Sequence, residues 1–430
     1  LRAQAARLRG YAADHQDLPD RDLGYTLATA RTHFEHRAAV VADDRAGLLA
    51  GLDALHRDEP DASVVRDTVA PGGLAVLFPG QGSQRHGMGR DLYQDLPAFA
   101  AAFDEVLAHL DPHLEHPLRG VLHGGGAAGT EHLIDQTWYT QAGLFAIEVA
   151  LYRLVESWGI RPDHLLGHSI GELAAAHVAG VLSLPDACLL VATRGRLMQA
   201  QPGGGVMVAL EASEAEAVAL LAGHPDGVSI AAVNGPTATV ISGDADAVGD
   251  LERAWVATGR RAKRLRVSHA FHSAHMDGAL APLRSVAAGL ALRPPTIPVV
   301  SNLTGAPVVA EEICSPGYWA RQVRQAVRFG DGVAWLAAQQ TSTFLELGPG
   351  GSLSALGRDC CRTGAPQRPA FLTTLRSARP ETRTLLAAVA GLHARGVDLD
   401  WDQVLGGAGL GARRGGPRLP TYPFQRPRHW

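Results

Sequence analysis

Leu165-Leu166-Gly167-His168-Ser169-Ile170-Gly171-Glu172 is the stretch on which the reading of this chain turns. A short apolar run precedes it and residues 172–180 follow with helical composition, so the context is strand, tight turn, helix. Gly-x-Ser-x-Gly in such a turn reads as a nucleophile elbow. Gly167 and Gly171 remove the Cβ atoms that would collide where strand and helix pass closely. The Ser169 backbone is then held in a strained conformation with its Oγ at the tip. A helix starting directly after the serine aims free N–H groups, and the positive end of its dipole, at any oxyanion formed there. The plainer reading is a glycine-rich turn around a buried structural serine; the strand–turn–helix context favours the nucleophile.

Upstream, Gly73-Leu74-Ala75-Val76-Leu77-Phe78 is a buried strand that runs into Pro79-Gly80-Gln81-Gly82-Ser83-Gln84. A glycine-rich turn after a strand exposes backbone N–H groups at the carboxyl edge of a sheet, where ligands of doubly wound folds bind. No Gly-Lys-Ser/Thr follows, so a phosphate cradle is disfavoured and a second oxyanion donor fits better. Residues 141–158 and 185–200 read as helices, the second carrying Arg194 and Arg196. The alternation of strands and helices predicts an α/β fold with a hydrolase-like parallel sheet. From residue 205 the order becomes βαββαβ, which predicts a ferredoxin-like subdomain inserted over 204–267.

The expected divisions are 1–72, 73–203, 204–267, 268–365 and 366–430. The first unit is a small α/β domain with one clear strand near residues 37–42 and a helix over 43–55 capped by Asp43 or Asp44; 57–73 reads as linker. The last unit holds a strand near 370–375, a helix over 381–395, the Gly/Arg-rich 406–418, and a Pro- and aromatic-rich end expected to lie extended on another surface.

A serine attacks at neutral pH only if a base takes its proton, and histidine has the right pKa. His168 adjoins the nucleophile, but adjacent elbow side chains diverge, so it is expected to pack or orient. The remaining candidates cluster as His269, His272 and His275 in Ser268-His269-Ala270-Phe271-His272-Ser273-Ala274-His275. Their spacing in a loop, without carboxylates, argues against zinc. No Asp or Glu is placed to complete a triad.

Composition narrows the classes. The 430 residues are 46% hydrophobic and 19% charged with net charge −4, a globular pattern with no electrostatic footprint for nucleic acid. Four cysteines (Cys188, Cys314, Cys360, Cys361) lack zinc spacing and a disulfide framework, which suits the reducing cytoplasm. There is no signal-peptide pattern and no apolar run long enough for a membrane span. Beginning at Leu1 rather than Met, the chain reads as a piece of a longer polypeptide.

With Phe78-Pro79-Gly80-Gln81-Gly82-Ser83-Gln84, Gly167-His168-Ser169-Ile170-Gly171 and His269-Ala270-Phe271-His272 in order, the chain resembles the acyltransferase domains of modular polyketide synthases. It is also similar to the bacterial malonyl-CoA:acyl-carrier-protein transacylase. The first seventy residues resemble the linker from a ketosynthase to its acyltransferase. Leu419-Pro420-Thr421-Tyr422-Pro423-Phe424-Gln425-Arg426 resembles the linker that follows the acyltransferase and packs back toward the ketosynthase. The resemblance implies Ser169 as nucleophile, His272 as base, and the backbone N–H groups of Gln81 and Ile170 as oxyanion donors. It implies that a main-chain carbonyl, matched to Gln322, orients the histidine. Arg194, otherwise read as a solvated helix-surface arginine, matches the residue that grips the free carboxylate of the extender unit. His269 and Phe271, with Ile170, fit the pattern linked to malonyl selection; methylmalonyl domains resemble Tyr-Ala-Ser-His, and carry Gln at the position of Ile170. Thr140-Gln141-Ala142-Gly143 departs from the usual Gln-Pro-Ala. The implied substrates are malonyl-CoA and the phosphopantetheine arm of an acyl carrier protein, with no bound cofactor and no metal. The implied partners are that carrier protein and a ketosynthase of the same polypeptide. The function expected is acyl transfer through acyl-Ser169, with methylmalonyl or another substituted malonyl as the alternative; a serine thioesterase and a non-catalytic docking module are the rivals.

Overall fold

The computed structural model describes residues 1–125, 129–223, 227–361, 368–406 and 417–423. They form two compact units. One comprises Leu1–Pro71, Val155–Arg161 and Thr382–Trp430; the other comprises Gly72–Leu154 and Pro162–Glu381.

In the first unit, strands β1 (His36–Val40) and β2 (Val64–Thr68) pair antiparallel, with Val40 opposite Val64. The second strand lies in the stretch expected to be linker. Val64 and Val65 are β-branched and sit against Val40 and Ala39, and this pairing outweighs the Asp/Pro-rich flank. The helix Arg45–Arg57 is capped by Asp44, whose carboxylate accepts from Gly47 N at 2.7 Å. Its Leu52 and Leu55 bury against Ala5 and Leu8 of the helix Arg2–Asp14. Leu419 packs on Ala12 and Leu23, and Arg31 donates to its carbonyl, so the described part of the Pro-rich end lies along this unit. Phe424, Gln425 and Arg426, most of the Gly/Arg-rich stretch and residues 126–128 fall outside the described residues.

The second unit is built on a five-stranded parallel sheet of β3 (Gly73–Phe78), β4 (His164–Gly167), β9 (Val299–Val300), β10 (Thr341–Glu346) and β11 (Ala370–Thr373), in the order β11-β10-β3-β4-β9. Strand β3 is buried almost throughout, as the continuous apolar run Leu74 to Phe78 requires of an inner parallel strand. The boundary expected at 366 is corrected here. The strand at 370–373 pairs with β10 and stacks Phe371 on Phe344 at 4.4 Å, so it completes this sheet and does not start the tail. The first unit resumes only at Thr382.

The insertion is as expected in topology. Strands β5 (Gly205–Leu210), β6 (Val228–Gly235), β7 (Ala238–Asp244) and β8 (Ala262–Arg264) form an antiparallel sheet in the order β6-β7-β5-β8. Two helices, Glu214–Leu221 and Ala245–Ala257, complete the βαββαβ order of a ferredoxin-like unit. Val208, Leu210, Val228, Ile241, Leu251 and Trp255 form its own core. It nevertheless packs as part of the second unit: Val233 N donates to Val327 O and Val327 N to Ala231 O.

Candidate active site

Strand β4 ends at Gly167 and the helix Gly171–Val178 begins four residues on, with Ser169 between them at φ +51°. A Cβ on Gly167 would sit 2.2 Å from Glu172 N, and one on Gly171 would sit 2.2 Å from Phe78 O. The two glycines are therefore sterically required, and they hold a non-glycine residue in left-handed backbone space. His272 shares this feature at φ +55°.

The structure brings the two together. Ser169 Oγ lies 2.9 Å from His272 Nε2, and His272 Nδ1 lies 2.8 Å from Gln325 O. A carbonyl only accepts, so Nδ1 carries the proton and the Nε2 lone pair faces the serine, the tautomer a general base needs. The orienting carbonyl is that of Gln325, which corrects the expectation of Gln322. The helix Pro316–Arg324 ends just before Gln325, whose extended backbone (ψ 161°) leads out of it. Gln322 lies inside that helix and acts through its side chain: Nε2 donates to Ser169 O at 2.7 Å, and Oε1 accepts from Arg194 Nη2 at 3.1 Å.

Arg194 is 1% exposed and so is not a surface arginine. Its Nη2 also donates to Ser169 Oγ at 3.1 Å, its Nη1 donates to Gln141 Oε1 at 2.7 Å, and its Nε has no partner among the described residues. Burial lowers its pKa to about 10, where the guanidinium still stays charged at neutral pH. Burial, and then the charge of Arg194, push His272 down to about 3, so its imidazole is neutral and able to accept a proton at pH 7.

Ile170 caps the helix Gly171–Val178, and Gln81 follows β3 in the adjoining turn. Neither backbone N–H donates to an acceptor among the described residues. That turn is ordered by Gly82 N donating to Gln84 Oε1 (2.7 Å) and Ser83 Oγ donating to Gly80 O. His168 packs as expected, with Nε2 2.9 Å from Asn234 Oδ1 and its ring against Phe329. His269 is buried with its ring nitrogens on Ser268 Oγ and Gln201 O, and lies beside Phe271, itself 5% exposed. His275 turns away to Asp244 at 2.6 Å. Among the described residues no cluster of three His, Cys, Asp or Glu side chains is suited to a metal ion, and no helix is long and apolar enough to cross a membrane.

Sequence reasoning missed four contributors. Asn302 accepts from Ser169 N at 2.6 Å and donates to Gly167 O at 2.6 Å, and so splints both arms of the elbow. Glu172 accepts from Asn302 N (2.9 Å) and from the Tyr318 hydroxyl (2.5 Å) beneath the serine. Gln141 anchors Arg194. The available signals were the polar pair Ser301-Asn302 directly after β9 at the carboxyl edge of the sheet, and an amide immediately before the apolar residues 142–147.

The fold and this Ser–His–Arg arrangement fit an acyltransferase, and comparison with known proteins gives that class. Residues 76–399 match the family model described as the acyl transferase domain, and the chain belongs to that family. Residues 1–52 match a second model, described as CurL-like, PKS C-terminal. The chain is homologous to modular polyketide synthase proteins. It is 50% identical over 427 residues to the spectinabilin polyketide synthase system protein NorB of Streptomyces orinoci, covering 99% of this chain and 20% of that protein. It is 49% identical over 431 residues to mycoketide-CoA synthase of Mycobacterium tuberculosis, covering 100% of this chain and 10% of that protein. The chain thus spans a fifth or less of the length of these relatives. Among solved structures, the acyltransferase domain from the second module of the salinomycin polyketide synthase superposes with TM-score 0.82 at 47% identity, covering 95% of this chain and 96% of that one.

Proposed function

We propose that this acyltransferase domain loads a malonyl extender unit from coenzyme A onto Ser169 and passes it to the phosphopantetheine thiol of an acyl carrier protein. The observation that carries this reading is the buried Arg194 guanidinium 3.1 Å from Ser169 Oγ. A planar fork binds a carboxylate through two charge-assisted hydrogen bonds, whereas an acetyl group leaves it unpaired in a dry site.

In the reaction, His272 takes the Ser169 proton as Oγ attacks the thioester carbonyl. The tetrahedral oxyanion is held by the N–H groups of Gln81 and Ile170 at the start of the helix Gly171–Val178. Donors so placed are worth about 3 kcal/mol each in related chemistry. His272 then protonates the departing coenzyme A sulfur, and the steps reverse with the carrier thiol as nucleophile. A substrate carboxylate on Arg194 also cancels part of the positive field that depresses His272, so the substrate raises the basicity of its own catalyst.

The preference for malonyl over methylmalonyl is assigned to Phe271, next to the base in sequence, buried at 5% exposure and beside His269, as the residue whose bulk narrows the acyl pocket in this reading. The thioesterase reading loses ground because His272 is oriented by a backbone carbonyl and not by a carboxylate. The carrier protein and a ketosynthase on the same polypeptide remain the proposed partners, and the cytoplasm the proposed location. Incubation with an equimolar mixture of acetyl-, malonyl- and methylmalonyl-CoA, read by intact mass, tests the proposal. A malonyl adduct that vanishes in Ser169→Ala is expected; an acetyl adduct, or hydrolysis outpacing transfer, refutes it.

A further inference from the structure

Glu172, at the second position of the helix Gly171–Val178, is wholly buried and takes no part in the chemistry above. Its Oε1 accepts from Asn302 N and the Tyr318 hydroxyl, while its Oε2 has no partner among the described residues. Arg194 has only neutral acceptors: Gln141, Ser169 and Gln322. Gln322 stands between the two. Its Oε1 holds Arg194, and its amide also favours the ionised form of Glu172. The titratable groups that face Glu172 are Tyr318 from the helix Pro316–Arg324 and Arg194 from the helix Leu184–Gln199. Tyr318 is held neutral by burial. Among the described residues, Glu172 and the groups that face it therefore amount to one carboxylate and one guanidinium.

An incoming acyl carboxylate changes that count. Two carboxylates and one guanidinium leave a net negative charge in a site from which water is excluded, and buried net charge is strongly disfavoured. The carboxylate with the weakest hold on its charge is Glu172. It has one unpartnered oxygen, and burial raises its pKa to about 7 against the hydrogen bonds of Tyr318, Asn302 and Gln322 and, last, the charge of Arg194. When the ligand engages Arg194, that opposition is shared away.

We propose that Glu172 is a positioning and selectivity residue: it neutralises Arg194 in the resting site and takes up one proton from solvent when a carboxylated acyl group docks. The pocket then accepts a dicarboxylic acyl group without a net buried charge, whereas an acetyl group triggers no uptake. The proposal rests on the reading of Arg194 as the carboxylate-binding residue.

The test uses the full chain with Ser169→Ala, which binds without being acylated. Malonyl-CoA and acetyl-CoA are titrated calorimetrically at pH 8 in two buffers of different protonation enthalpy, acetyl-CoA reporting the protons of the coenzyme moiety itself. Malonyl-CoA is expected to take up close to one proton more than acetyl-CoA. Its affinity should fall up to tenfold per pH unit above about pH 7 and be flat at lower pH. Adding Glu172→Gln, which keeps an acceptor for Asn302 and Tyr318, should abolish the extra uptake and flatten the profile. Adding Arg194→Ala should abolish it as well, and this keeps the test decisive if the Gln variant does not fold. Malonyl-CoA bound with no extra proton, or uptake that persists in Glu172→Gln, overturns the proposal. If Arg194→Ala leaves malonyl-CoA affinity unchanged, it is the carboxylate-binding reading that fails.

Discussion

Replacing Arg194 by Ala separates carboxylate recognition from catalysis. The side chain makes three hydrogen bonds in the resting site, to Gln141, Ser169 and Gln322, all with neutral acceptors that can re-pair or tolerate a cavity. A bound malonyl carboxylate loses a charged two-pronged partner. At about 1.5–3 kcal/mol for each charge-assisted bond, the loss is about 3–6 kcal/mol, or roughly 150- to 20,000-fold in kcat/KM for malonyl-CoA. Acetyl-CoA has no carboxylate to lose, so its kcat/KM should change less than about fivefold. Removing the nearby cation also lets the His272 pKa rise from its depressed value, so the acid limb of acetyl transfer should move to higher pH. The assay is steady-state transfer of each acyl group to a carrier protein from the lowest pH at which the protein stays folded up to pH 8. Equal losses for the two substrates would refute the assignment, because they would make Arg194 a support of the nucleophile alone.

Three further outcomes follow from the same geometry. Phe271→Ser should raise the methylmalonyl share in a competition between the two CoA esters by roughly 5- to 100-fold, since one methyl in a pocket is worth about 1–3 kcal/mol; an unchanged adduct ratio counts against Phe271 as the determinant. Gly171→Ala should cost about 3 kcal/mol or more, because its Cβ would lie 2.2 Å from Phe78 O, and a denaturation midpoint equal to that of the parent would contradict the close approach. Glu148 is wholly buried beside Glu346, with neither oxygen partnered among the described residues, and its pKa is raised well above that of a free carboxyl. The unfolded chain ionises this group above pH 4.5 while the folded chain does not, so its contribution to stability is lost as pH rises. Glu148→Gln should therefore stabilise the protein by a margin that grows up to about 1.4 kcal/mol per pH unit above that point, and a thermal-shift difference that does not vary from pH 5 to 8 would reject this account.

The local chemistry was legible in the sequence because it is written in short-range steric requirements. Gly167 and Gly171 announce the elbow, the apolar run into Pro79-Gly80-Gln81 announces an inner strand with a loop at its carboxyl edge, and the change of rhythm at residue 205 announces the inserted sheet. Each depends on neighbours a few residues away, and each appears in the structure. What misled was segment-level composition. The Asp/Pro content of 57–73 hid a strand fixed by its pairing with β1, and the strand at 370–373 belongs to the main sheet only because β10 offers it an edge. Likewise, by spacing alone His269, His272 and His275 were equivalent candidates. Only the tertiary structure turns one of them to Ser169, a second to Gln201 and the third to Asp244. The carbonyl that orients the base depends on where one helix ends, a matter of three residues that no motif encodes. The buried set of Glu172, Arg194, Asn302, Gln141 and Gln322 comes from separate helices and loops. A polar side chain is indistinguishable in sequence from a surface one until packing removes its water, and that exclusion of water gives these charges their energy and their role.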